Sequence, residues 1–145
     1  MTRLACWEAD RIIRSIVTTA PNATVSLPAL FSPTADASRR FVEFFTANIR
    51  NPNTRKAYAR AAAEFAAWCH ARGIVELRAV QPVHVAAYIE GLELAAPSIK
   101  QRLAALRVLF DWLVVGQVIP INPAASVRGP KHSTKKGKTP VLSAE

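Results

Sequence analysis

Apolar residues recur at helical spacing in four stretches of the chain. The clearest opens at Pro97 and Ser98, and in it Ile99, Leu103, Leu106, Phe110 and Leu113 make one continuous stripe. Leu109, Trp112 and Val108 widen it over much of the circumference, which predicts a helix packed on more than one side. Lys100, Ala104 and Arg107 form a narrow polar strip, with Asp111 one turn beyond Arg107 placed to offset its charge. In the segment "NTRKAYARAAAEFAAWC", Tyr58, Ala62, Phe65 and Cys69 share one face, Trp68 widens it, and Lys56, Arg60 and Glu64 lie opposite. Its seven alanines favour the helix and keep its surface low, so another backbone can come close. Asn53 is the expected N-cap and Gly73 the expected C′ residue. An earlier helix is expected to start near Asp36 or Ser38, with Phe41, Phe44, Phe45 and Ile49 inward. It should end at "RNPN", where Pro52 pushes Asn51 out of helical geometry. Between the two strongest helices, "QPVHVAAYIEGL" has Pro82 in its first turn and Val85, Tyr88, Ile89 and Leu92 on its inner side. Gly91 weakens its end. The fold class expected is all-α, with about four helices.

The flanks read differently. A short amphipathic helix is expected over 4–19 through Trp7, Ile13 and Val17, and a loop or flexible arm over 20–36, which carries three prolines and no helical period. After Gly116 come four more prolines and a basic run, Arg128, Lys131, Lys135, Lys136 and Lys138, with no acid inside it. That composition reads as a linker or arm. Ser143 resembles an N-cap whose capping-box partner would stand at the next position beyond the chain, so a further domain is expected to follow. The expected organisation is an N-terminal extension over 1–36, a helical domain over 37–118, and a basic linker over 119–145.

Charge changes the picture from fold to partner. Lys and Arg outnumber Asp and Glu by 19 to 10, a net charge of +9 with a pI near 10.4. Residues 51–145 hold +7 of this and residues 1–50 only +2. Such a balance favours an acidic partner, either nucleic acid or an anionic membrane surface. The first twenty residues contain Arg3, Glu8, Asp10, Arg11 and Arg14, so no secretory apolar core exists there. The longest apolar run, "LFDWLVV", is too short to span a bilayer and is broken by Asp111. With two cysteines and no disulfide framework, a reduced, cytoplasmic setting is expected.

Arg55, Lys56 and Arg60 occupy the first turns of their helix, where the dipole disfavours cations by about 0.3–1 kcal/mol each. A bound polyanion would reverse that penalty, because free N–H groups and cationic side chains then face the same phosphates. Lys100 and Arg107, with Ser98 and Gln101 near the start of their helix, offer a second strip. Gln and Ser can read base edges, and Lys and Arg can hold phosphates. The plain alternative for both strips is a solvated surface. Catalytic chemistry has little to stand on. His70, His84 and His132 are scattered without zinc-ligand spacing, and Cys69, Tyr58 and Tyr88 sit on apolar faces as packing residues. No Gly-rich phosphate loop is present, and no cofactor, metal or small-molecule substrate is expected.

Three segments in order, "NTRKAYARAAAEFAAWC", "PSIKQRLAALRVLFDWLV" and "INPAASVRGPK", resemble the N-terminal core-binding region of tyrosine recombinases, the phage-integrase family. The match runs through Thr54, Tyr58, Phe65 and Trp68, then Ser98, Ile99, Leu103, Leu106, Arg107 and Phe110, then Asn122-Pro123 and Pro130-Lys131. "TPVLSAE" resembles the start of the family's catalytic domain. The resemblance covers about 38–145 and implies a SAM-like orthogonal bundle that clamps duplex DNA together with that domain. It also implies that Thr54, Arg55, Lys56, Arg60, Ser98, Lys100, Gln101 and Arg107 lie near DNA, while Lys131, Lys135 and Lys136 track the backbone. Other recombinase protomers would be partners in the full-length setting. The family's chemistry needs a tyrosine nucleophile and a His-x-x-Arg motif, and no histidine here is followed three places on by arginine. This chain is therefore expected not to cleave DNA alone. The competing expectation is a stand-alone helical protein-interaction module, a use to which SAM-like bundles are also put.

Overall fold

Residues 27–131 are described by the computed structural model. The helix expected over 4–19, and the expectations for Lys135, Lys136, Lys138 and Ser143, lie outside them. The first helix, α1, runs Ala35–Glu43 and continues into a π-helical turn, Phe44–Asn48. Its cap is Thr34, ahead of the expected Asp36 or Ser38: Thr34 is extended and its hydroxyl accepts the Ala37 N–H at 3.1 Å. Asp36 falls instead in the first turn, where a carboxylate suits the dipole, and pairs with Arg39 at 2.7 Å.

The second helix, α2, spans Pro52–Ala71. The cap is Asn51 rather than Asn53. Its side-chain oxygen accepts from the N–H groups of Asn53 at 2.9 Å and Thr54 at 3.5 Å, and Pro52 takes the first helical position. One proline thus does two things: it stops the helix before it and, with φ already set, starts the next. The C-terminus closes as expected on Gly73, whose φ of 73° allows Ile74 N–H to reach Cys69 O at 2.9 Å.

Helix α3 covers Pro82–Glu90 and opens with a reciprocal cap in which the Gln81 N–H donates to His84 Nδ1 at 3.0 Å. Helix α4 spans Ala96–Val115. It ends in the same hydrogen-bond pattern as α2, with Val118 N–H on Leu113 O at 2.9 Å, but here the left-handed position is filled by Gln117 at φ 60°. Gly116 stands one place earlier, where a Cβ would come within 2.8 Å of Nε of the flexible Arg40 side chain.

The stripes converge on one core. Phe31, Phe41, Phe44, Phe45, Phe65 and Phe110 are fully buried with Leu103, Leu106, Leu109 and Leu113. Phe65 meets Phe110 edge-on at 5.9 Å and Tyr88 at 5.2 Å, so α2, α3 and α4 share a centre. The buried alanines of α2, among them Ala59, Ala62 and Ala66, let neighbouring elements approach its backbone. The described residues are helical throughout their regular elements, an all-α bundle.

Both flanks enter this core, against expectation. Inside the supposed arm, Ala29–Phe31 forms a 3-10 turn that buries Leu30 and Phe31, and the Phe31 ring stacks on Phe41 at 4.9 Å. Inside the supposed linker, Ile119, Ala124 and Val127 are buried. Isolated apolar residues between prolines have no period, so a pattern search passes over them. Two further positions differ. Val108 is exposed rather than packed, and Glu64 leaves the solvated face to pair with Arg102 of α4 at 3.0 Å.

Candidate nucleic-acid interface

At the start of α2 the basic residues divide by role. Arg55 is half-buried and its Nη2 donates to Ile49 O at 2.8 Å, so its charge braces the corner between α1 and α2. Thr54 is also half-buried beside it, whereas Lys56 and Arg60 are exposed one turn apart. The first turn contains no acid.

At the start of α4, Ser98, Lys100 and Gln101 are all exposed, and Ala95 at the cap position supplies no side-chain acceptor. Arg107, two turns on, is placed differently from the rest. It is half-buried, its Nε donates to Ala124 O at 3.2 Å, and its Nη2 donates to Val127 O. The Asn122 amide completes the junction: Nδ2 donates to Arg107 O at 3.0 Å and to Asp111 Oδ1 at 2.7 Å, and Oδ1 accepts from Ala124 N–H at 2.8 Å. Asp111, expected to offset Arg107, thus serves Asn122.

The chain beyond Val127 passes over the start of α4. A Cβ built on Gly129 would lie 3.4 Å from Leu103 Cδ2 and 3.7 Å from Lys100 Cγ. Gly129 thus lies against the stem of exposed Lys100, with exposed Arg128 next to it in the chain and exposed Lys131 two residues on. Lys135 and Lys136 lie outside the described residues. Arg128, in the basic run, and Asn122, in the Asn-Pro pair, join the residues expected at the site, and neither is marked for that place by helical periodicity.

Burial favours the protonated forms of Cys69 and Tyr88. Cys69 is fully buried, and burial pushes its thiol up to about 12, with the Arg72 charge acting in the opposite sense. Burial raises the Tyr88 hydroxyl as well, with Glu64 adding to the effect. Among the described residues no group of three His, Cys, Asp or Glu side chains is arranged to hold a metal, and no helix is long and apolar enough to cross a membrane.

Residues 39–116 match the family described as phage integrase, N-terminal SAM-like domain. The match covers more than half of the chain, and the chain belongs to this family. A tyrosine recombinase XerC of Xylella fastidiosa (strain M23) is 32% identical over 104 residues, covering 66% of this chain and 35% of the relative. A tyrosine recombinase XerC of Xanthomonas campestris pv. campestris (strain B100) is 29% identical over 115 residues, covering 74% of this chain and 36% of the relative. The chain thus spans about a third of the length of these curated relatives. No solved structure matches.

Proposed function

We propose that this chain is the core-binding part of a site-specific tyrosine recombinase: it grips duplex DNA and leaves cutting and rejoining of strands to a separate catalytic domain. The observation that carries this reading is the exposed cations, Lys56 and Arg60 on α2 and Lys100 and Lys131 around α4, on a domain of this family. Lys56, Arg60, Lys100, Lys131, Lys135 and Lys136 are assigned to phosphates, and Thr54, Ser98 and Gln101 to hydrogen bonds with phosphates or base edges. Arg55 and Arg107 support the surface from behind, since the carbonyls of Ile49, Ala124 and Val127 engage their guanidinium groups. Recombinase protomers on adjoining DNA sites are the protein partners of the full-length molecule.

Fluorescence anisotropy with a labelled mixed-sequence duplex, between about 50 and 200 mM salt, tests the reading. Binding should be micromolar at low salt and fall by roughly 0.9 log unit per log of salt for each phosphate neutralised. Nicking of supercoiled plasmid by the chain alone would contradict the division of labour. Absent or salt-insensitive binding would favour a protein-interaction module instead.

A further inference from the structure

We propose that residues 119–131 are a docked strap pinned to α4 by Arg107, and that this pinning holds Arg128 and Lys131 beside Lys100 as one preformed cluster for duplex phosphates. The ligand of the cluster rests on the DNA-binding reading above; the pinning does not.

Three kinds of contact hold the strap. Ile119, Ala124 and Val127 are buried. Asn122 ties the backbone of α4 to the backbone of the strap through hydrogen bonds at Arg107 O and Ala124 N–H. Arg107 spans two strap carbonyls, Ala124 O and Val127 O, with one planar guanidinium. That fork geometry is specific to arginine: a lysine ammonium is a point donor at the end of a flexible stem and cannot hold both carbonyls in a fixed frame.

The consequence falls on the next four residues. Gly129 lies against Lys100 and Leu103. Arg128 is its chain neighbour, and Lys131 is two residues on, within roughly 7 Å of backbone reach. Arg128 also lines a shallow groove with Pro82, Val83, Ala86 and Glu90 of α3. Asp111 accepts from Asn122, and Glu90 lines the groove together with Arg128. A segment already ordered before binding avoids the cost of ordering it on the DNA, so the pin raises affinity without touching the ligand. Arg107 is in this sense a positioning residue. Of its five N–H donors the single one on Nε and one on Nη2 are engaged by the strap carbonyls.

The test uses the whole chain and the variants Arg107→Ala, Arg107→Lys, Lys100→Ala and the pair Arg128→Ala with Lys131→Ala. Without DNA, trypsin cleavage after Arg128 should speed up about tenfold or more in both Arg107 variants, as expected for the loss of two hydrogen bonds that hold the cleaved segment. Cleavage after Arg60, inside α2, should keep its rate, which separates release of the strap from global unfolding. Lys100→Ala should weaken DNA binding and leave the rate of cleavage after Arg60 unchanged. In anisotropy at several salt concentrations, Arg107→Ala should weaken binding, yet add little to the loss in the Arg128→Ala, Lys131→Ala background. Unchanged cleavage after Arg128 would overturn the pinning. A binding loss that adds fully in that background would make Arg107 a direct phosphate contact and overturn its positioning role. Absence of DNA binding by the unaltered chain would overturn the cluster's ligand together with the DNA reading, while the cleavage rates would still decide whether Arg107 pins the strap.

Discussion

The Arg102 guanidinium of α4 lies 3.0 Å from the Glu64 carboxylate of α2, with both side chains largely sheltered from solvent. An ion pair in such a setting contributes little net stability when intact, but leaves a poorly solvated charge when one partner is removed. Glu64→Ala should therefore destabilise the domain by about 1–3 kcal/mol, more than an exposed substitution would. Replacing both partners, as Glu64→Gln with Arg102→Met, should lose less than the single change. Urea unfolding of the two variants beside the unaltered chain checks this.

Surface and core changes should separate cleanly. Lys56→Ala and Arg60→Ala are expected to weaken DNA binding while stability stays within about 0.5 kcal/mol. Leu106, fully buried, should lose about 2–5 kcal/mol on change to alanine. Comparable losses in thermal melting for both classes would contradict the assignment of faces.

Phe31 tests the anchoring of the segment ahead of α1. It is fully buried, stacked on Phe41 and 6.2 Å from Phe110. Phe31→Ala should cost about 3–5 kcal/mol, whereas a residue in a solvated arm would cost almost nothing. The urea midpoint of that single variant distinguishes the two.

Alkaline pH should destabilise the fold. The folded chain keeps the Cys69 proton from its ordinary value of 9.0 up to about 12, while the unfolded chain loses it above the lower value. Stability from this group is thus fully present below 9.0 and declines as pH rises toward about 12. The raised Tyr88 hydroxyl acts in the same direction at higher pH. Unfolding free energy should drop by about 1 kcal/mol between about pH 8 and pH 10, and Cys69→Ala should flatten the slope. In the native state at neutral pH, Cys69 should resist alkylation until urea is added.

Gln117 holds a left-handed backbone at φ 60°, a conformation that disfavours a side chain. Gln117→Gly should stabilise the end of α4 by up to about 1 kcal/mol, the strain relieved being partly offset by a freer unfolded chain. Differential scanning calorimetry reads this as a rise in Tm.

The four helices were legible from sequence because their information is local. Stripes such as Ile99–Leu103–Leu106–Phe110–Leu113 repeat with the helix itself, and all five are buried. The Gly73 ending and the break at Pro52 follow from single-residue backbone preferences, and they stand where expected. The caps moved by a few residues because Asp, Ser, Thr and Asn all compete for that place, and only the backbone path decides between Asn51 and Asn53 or between Thr34 and Ser38. The basic character of the start of α2 and of the segment after Val127 was likewise visible in composition.

What the tertiary structure alone decided is which partner each side chain meets across the chain. Glu64 finds Arg102 thirty-eight positions away. Phe31 finds Phe41 and Phe110, and Arg107 finds the carbonyls of Ala124 and Val127. Lys100 and Arg107 look alike on a helical wheel. They part company because the returning chain offers carbonyls at one position and passes the other as Gly129, leaving its ammonium exposed. Periodicity tells which face of a helix is polar; the satisfaction of buried hydrogen-bonding groups tells which of those polar residues stay available to a ligand, and that depends on contacts far apart in sequence.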